Sequence, residues 1–245
     1  MPHSQYDRVY AGGDAPAGDF VFDERVARVF GDMLARSVPG WSELIRLVGL
    51  IAARLAQPGS RIYDLGCSLG AGSASILARL PADVGDEMVC VYAVDNAPAM
   101  LDELAIRLSA ETGAGRLRPV CSDVNEVALE DPSVVILNLT LQFVAPDQRL
   151  ALLRRIRQAL RPDGGLILVE KLATSETDSL LVELHEAFKA AQGYSALEIA
   201  RKRAALERVL IPDDEPTHLA RLQEAGFERV ERFFQCLNFV GWIAQ

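Results

Sequence analysis

The chain is short of cysteine and histidine, carries an excess of acid and has no long apolar run, and each shortage removes a class of function. Its four cysteines, Cys67, Cys90, Cys121 and Cys236, include no Cys-x-x-Cys pair. That spacing offers neither a zinc site nor a disulfide framework, so reduced and mostly buried thiols are expected, with no metal. The three histidines, His3, His185 and His218, have no acid at catalytic spacing and read as structural or surface groups. A formal charge of −9 works against broad docking on nucleic acid or an anionic membrane, so an anionic substrate requires a local basic pocket. No uninterrupted apolar run approaches the ~20 residues of a membrane-spanning helix. Met1 to Asp19 lacks the apolar centre of a signal peptide, and a cytoplasmic protein is expected.

What is present fits one α/β domain: 245 residues, 50% hydrophobic and 24% charged. Residues 1–19, rich in Gly, Ala, Pro and polar side chains, read as a mobile arm, and 20–245 as a single domain. Asp23 can cap a helix whose apolar positions Val26, Val29, Phe30, Met33 and Leu34 recur at helical spacing until Pro39-Gly40. A second helix, capped by Ser42, runs through Leu44, Val48 and Ile51 to Leu55.

Strand and helix then alternate. The expected elements are a strand at Arg61 to Leu65, a helix from Ala74 to Leu80, a strand from Val89 to Val94, a helix from Pro98 to Thr112 and a strand from Leu117 to Cys121. They continue with a strand from Val134 to Leu139, a helix from Asp147 to Leu160 and a strand from Leu166 to Val169, the pattern of a parallel sheet with crossover helices. Phe227 to Val230 and Phe233 to Trp242 can close it as an antiparallel pair. Helices at Leu180 to Ala191 and Ala196 to Leu210 form an insertion over about 174–216, where the substrate is expected.

The chemistry centres on Arg61 to Ser73, an apolar strand that breaks into a glycine-rich turn and then a helix. Gly66 and Gly70 let the backbone turn tightly and approach a ligand. The strand ending at Val94 delivers Asp95-Asn96, an acidic residue placed to grip ribose hydroxyls. A dinucleotide and S-adenosylmethionine (SAM) both satisfy that pattern. Asp64 favours SAM, because a carboxylate beside the turn repels a pyrophosphate but can bind an ammonium group. Asp123 can accept from an adenine amino group or serve as a turn residue. Asn138, ending the fourth strand, is either a cofactor contact or a satisfied buried amide. Trp41 and Tyr194, at glycine-marked corners, either close over a ligand or plug a seam. Arg201-Lys202-Arg203 is a basic cluster of which at most two members can face a pocket.

Together the strings Phe22 to Ala27, Arg36 to Gly40, Tyr63 to Ala71, Val94 to Met100, Leu137 to Phe143 and Phe234 to Phe239 closely resemble the carboxy-S-adenosylmethionine synthases, and the likeness runs from about Phe20 to the C-terminus. The resemblance implies a doubly wound, mostly parallel seven-stranded sheet of the SAM-dependent methyltransferase (Rossmann-like) type, with N-terminal helices. It implies conversion of SAM and prephenate to carboxy-SAM, phenylpyruvate and water. A downstream tRNA carboxymethyltransferase would use the product on a wobble uridine, with no nucleic acid bound here, and a homodimer is expected. It further implies Gly66, Cys67 and Ser68 at the amino acid end of SAM, Asp95 and Asn96 at the ribose, Asp123 and Val124 at the adenine, and Asn138 near the sulfonium. Arg203 matches the arginine that binds the transferred carboxylate and is the candidate catalytic residue. Trp41 stands where the family commonly has Tyr, keeping a stacking face and an N–H donor but losing the phenol oxygen.

Overall fold

A parallel sheet grows outward in both directions from the strand that enters the glycine turn. The computed structural model describes residues 6–12, 18–81, 88–174 and 179–245. Strands β1 (Arg61–Leu65), β2 (Cys90–Asp95), β3 (Leu117–Cys121), β4 (Pro132–Asn138), β5 (Gly165–Lys171), β6 (Val230–Cys236) and β7 (Phe239–Ala244) form one seven-stranded sheet in the order β3-β2-β1-β4-β5-β7-β6. The first five are parallel, and β7 runs antiparallel to both neighbours. The chain leaves β1 toward β3, then returns to place β4 on its other side. The crevice for a ligand therefore opens at the carboxyl ends of β1 and β4.

Burial follows position in the sheet. Central β4 and β5 are apolar and buried on both faces, as a parallel sheet covered by helices requires. Pro119 lies in β3 at the sheet edge, where a missing N–H costs no ladder bond on the open side. One face packs under α2 (Trp41–Leu55), α3 (Ala71–Leu77) and α4 (Pro98–Arg107), with Leu44, Val48, Ile76 and Leu104 fully buried. The other packs under α6 (Arg149–Ala159) and α9 (Glu215–Glu224), around Leu153, Ile156, Leu222, Phe227 and Trp242. Helix α1 (Glu24–Ser37), capped by Asp23 through the Val26 N–H, makes a third cluster with Phe20, Leu69 and Met100 over the crevice. The insertion is α7 (Ser179–Ala191) and α8 (Ala196–Leu206), the latter begun by a reciprocal capping box between Ser195 and Glu198.

Several expected boundaries shift. Helix α2 begins at Trp41 on a left-handed Gly40 rather than on a Ser42 cap, and α3 starts directly after Gly70. The expected helix over 98–112 divides at Leu108 into α4 and α5 (Ser109–Gly113). The closing hairpin turns at Leu237, which takes φ +51°, so β6 begins at Val230. Residues 6–12, read from composition as mobile, are held: Asp7 and Tyr10 are buried, and Tyr10 packs with Phe20 and Met33. Residues 1–5 and 13–17 of that arm lie outside the described residues. The four thiols are free, but only Cys67 and Cys90 are buried; Cys121, on the edge strand, is exposed. Among the described residues, no helix is long and apolar enough to cross a membrane.

Candidate active site

Five strand ends deliver side chains or backbone to one cavity of about 840 Å³: Gly66 after β1, Asp95 from β2, Asp123 beyond β3, Asn138 from β4 and Lys171 from β5. The first turn is fixed sterically. Gly66 has φ +75°, and a Cβ on it would stand 2.5 Å from Thr140 Oγ1 and Cγ2. Thr140 is itself held there, donating its hydroxyl to Leu65 O at 2.9 Å. The Gly66 and Cys67 N–H groups donate to Val94 O at 2.8 and 3.0 Å, locking the turn against β2. Ser68 follows at φ +51°, uncommon for a residue with a side chain.

Asp95 is pre-set by the turn it serves. Its Oδ2 accepts from Ser68 N at 2.8 Å and its Oδ1 from Ala97 N at 2.9 Å. Each oxygen keeps further acceptor capacity, and Asp95 lines the cavity. Burial raises its pKa, and the backbone N–H bonds oppose that rise. Asp64 is buried and accepts from Ser73 Oγ at 2.7 Å, and burial pushes it up to about 6. A ligand ammonium beside it would restore the charged form. Asp123 lines the cavity, and its Oδ1 accepts from Asn125 N at 2.8 Å as a turn residue does.

At the end of β4, Asn138 Oδ1 is buried without a hydrogen-bond partner, as is Gln142 Oε1 nearby; both residues line the cavity. Leu139 takes φ +59° and ties back through its N–H to Val169 O at 2.7 Å. The short turn 141–143 is held from below by buried Glu170, whose two oxygens accept from Leu141 N and Gln142 N at 2.9 and 3.0 Å. Sequence reading passed over Glu170 because it sits inside an apolar strand. It also passed over the aromatic cover, Phe20, Phe22, Phe30 and Phe143, in which Phe22 meets the other three edge-on.

Of the residues expected at the site, Trp41, Asp64, Gly66, Cys67, Ser68, Asp95, Asn96, Asp123, Val124 and Asn138 all line this cavity. Arg203 does not. It is exposed, pairs with Glu186 of α7, and lines a separate shallow groove with Ala187, Ala190, Ala196, Ile199 and Ala200. The turn of α8 that carries Arg203 outward carries its neighbour Lys202 inward, as adjacent helical positions point about 100° apart. Lys171, Lys189 and His185 join Lys202 there; Lys202 belongs to the basic cluster that the sequence offers to a pocket, while the other three carry no such signal. His185 donates its Nε2–H to Ser37 O at 2.8 Å, because a carbonyl oxygen can only accept. Burial pushes its pKa down to about 3, with the three lysines adding to the effect, so the ring is neutral. Tyr194 plugs a seam: Arg36 is sandwiched between its ring and that of Tyr6, at 3.8 and 4.0 Å from the centroids.

Residues 62–164 match a family model described as a methyltransferase domain. Proteins named carboxy-S-adenosyl-L-methionine synthase match almost end to end. One from Trichlorobacter lovleyi is 51% identical over 241 residues, 97% of each chain, and one from Geobacter sp. is 49% identical over 243 residues, again 97% of each. One from Escherichia coli O7:K1 is 43% identical over 243 residues, 98% of this chain and 97% of its own. The chain belongs to the carboxy-S-adenosyl-L-methionine synthase family. Solved structures carry the fold alone. The pyocyanin biosynthetic protein PhzM superposes with TM-score 0.63 at 17% identity, over 94% of this chain and 62% of its own. Human N-acetylserotonin methyltransferase in complex with SAM gives 0.58 at 18%, over 91% and 55%. The sheet is thus that of the SAM methyltransferases, and family membership supports SAM as the molecule this cavity takes.

Proposed function

We propose that the enzyme converts SAM and prephenate to carboxy-SAM, phenylpyruvate and water. The observation that carries the reading is a single cavity combining a SAM-type turn with a cationic end: Asp64, Gly66 and Asp95 at one part, Lys171, Lys189 and Lys202 at another. A methyl acceptor needs no such cluster, whereas prephenate is a dianion. In the proposed binding mode the ammonium of SAM meets Asp64, its ribose Asp95 and Asn96, its adenine Asp123 and Val124, and its sulfonium the unpartnered Asn138 Oδ1. Trp41 supplies a stacking face.

The reaction balances without an added base. Aromatisation of prephenate breaks the bond to one carboxyl group, releasing CO2, and the ring hydroxyl departs as hydroxide. Hydroxide removes a proton from the SAM methyl, giving water and a sulfonium ylide, whose carbon bonds CO2. The cavity residues compete poorly as bases: His185 is neutral and very weakly basic, Asp64 and Asp95 are tied to Ser73 and to backbone N–H groups, and Lys171, Lys189 and Lys202 would hold their protons beside a bound dianion. Water would quench the ylide, and Phe20, Phe22, Phe30 and Phe143 form a cover suited to excluding it. The product would serve a tRNA carboxymethyltransferase in the cytoplasm.

Leu184 and Leu197 are exposed on α7 and α8, the two helices that line the groove holding Arg203, a surface suited to a second copy of this chain. A homodimer through that face is part of the proposal. Arg203 does not line its own cavity, and in the proposed dimer its contact with a new carboxylate would come from the second copy. Its position also favours the second reading, ordinary methyl transfer to a small molecule. Mass spectrometry of the small molecules after incubation with SAM and prephenate separates the two. A species heavier than SAM by one CO2, formed with phenylpyruvate, is expected; unconsumed prephenate would refute the synthase reading.

A further inference from the structure

The chain holds 25 basic residues, of which three are lysine, and all three line the same cavity. They arrive from separate elements: Lys171 from the end of β5, Lys189 from the last turn of α7 and Lys202 from the middle of α8. Lys171 lies two positions beyond Val169, the residue in register with Asn138, so the cationic end adjoins the part of the cavity assigned to the sulfonium. Among the described residues every salt bridge is made by arginine, and none joins a carboxylate to any of the three lysines. Lys202 instead donates to Ser37 Oγ at 3.0 Å and stands 5.5 Å from the Tyr194 ring centroid.

The facing groups leave this cluster short of negative charge. Around Lys202 are Lys189, Arg36, Asp7 and Asp32, with neutral His185 and Tyr194 beside it; Lys171 feels the positive charges of Lys189 and, from the neighbouring groove, Arg203. The two acids are already engaged, Asp7 by the Tyr194 hydroxyl and Val9 N, and Asp32 by Arg36 and Asp7 N. Desolvation first, and mutual repulsion after it, push Lys189 down to about 8, while Lys202, with Asp7 opposing, falls to about 7. Cations gathered in a partly buried place without counter-ions are unfavourable until an anion enters. Lysine suits this use better than arginine, because its compact ammonium can lose its proton while the site is empty and regain it on binding.

We propose that Lys171, Lys189 and Lys202 together form the receptor for both carboxylates of a dianionic co-substrate, holding it against the methyl side of bound SAM. This rests on the reading that the cavity takes a dicarboxylate. Lys202 also tethers Ser37 at the end of α1, so binding at the receptor is coupled to the helix that covers the crevice.

The test uses the full-length enzyme and its Lys189→Met and Lys202→Met variants, with folding checked by thermal unfolding. Enzyme loaded with S-adenosylhomocysteine, which lacks the methyl group, is titrated calorimetrically with prephenate and with malonate as a generic dicarboxylate. Each substitution should weaken dicarboxylate binding roughly 10- to 100-fold, the size of a lost charge-assisted hydrogen bond, while SAM affinity stays within about two-fold. At pH 8, binding to wild type should take up protons, seen as a heat that depends on the buffer's ionisation enthalpy, and the variants should take up fewer. In turnover the loss should appear in KM for prephenate. Lysine-dependent malonate binding without prephenate turnover would support the receptor and sink the prephenate reading. Normal turnover with unchanged KM in both variants would overturn the receptor and leave that reading standing.

Discussion

Replacing Lys202 with methionine should stabilise the empty enzyme, and by an amount that depends on pH. The ammonium is displaced from 10.5 to about 7, first by desolvation and then by Lys189 and Arg36, with Asp7 and Asp32 pulling the other way. The folded state therefore binds this proton less tightly than the unfolded chain. Below pH 7 both states are charged and the full penalty, about 5 kcal/mol at most, is present. Between pH 7 and 10.5 the unfolded state holds the extra proton, so stability rises with pH and the penalty fades. At pH 9 about 2 kcal/mol remains. Methionine has similar reach and no charge, but it loses the Ser37 hydrogen bond and the Tyr194 contact, which together are worth about 1–2 kcal/mol.

The pH-dependent part of those contacts is already contained in the displaced pKa, and the remainder cancels in a comparison between pH values. The stability gain of Lys202→Met over wild type should shrink by about 3 kcal/mol between pH 6.5 and pH 9. For a domain of this size that is a change of roughly 6–12 °C in the difference between midpoints. Urea unfolding at several pH values, without ligand, measures it. A difference between the two proteins that stays constant across this range would refute the picture of a charged, desolvated lysine. So would three lysine signals with ordinary titration curves in NMR of [13Cε]lysine-labelled protein. Saturating malonate should reverse the order of stability, because it binds the folded wild type and the variant poorly.

Gly66→Ala meets both a left-handed backbone and Thr140 at 2.5 Å; the backbone alone costs about 1–2 kcal/mol, and SAM binding by calorimetry should weaken at least tenfold as the turn shifts. Asp95→Asn leaves one of the Ser68 and Ala97 N–H groups facing an amide NH2 rather than an acceptor; SAM affinity should fall about 10- to 100-fold, and an unchanged Kd would remove Asp95 from the binding set. Glu170→Gln, by the same logic, deprives Leu141 or Gln142 N–H of its acceptor in a buried setting; a loss of about 1–3 kcal/mol in urea unfolding is expected.

The parts of the site that could be read from sequence are those written into backbone geometry. Gly66 and Gly70 mark positions where only a residue without a side chain fits easily, and Asp64, Asp95 and Asn138 follow or end apolar strands whose order sets which edge they reach. Their convergence needs only the topology of the sheet, and alternating periodicity supplies most of that. The three lysines needed more, because helical phase decides whether an insertion residue faces in or out. Within Arg201-Lys202-Arg203, three consecutive cations look alike in sequence, yet about 100° of rotation per residue separates the inward Lys202 from Arg203 on the exposed groove. That phase is set by how α7 and α8 pack against α1, through contacts such as His185 and Lys202 on Ser37 and Arg36 between two tyrosines, all of them 148 or more residues apart in the chain except where Arg36 meets Tyr6. Composition held one overlooked sign of the receptor: a chain that uses arginine for every other basic position places its only lysines at 171, 189 and 202. A residue type confined to so few positions invites the question of where those positions meet, and here the fold brings all three to the cavity that also holds the SAM turn.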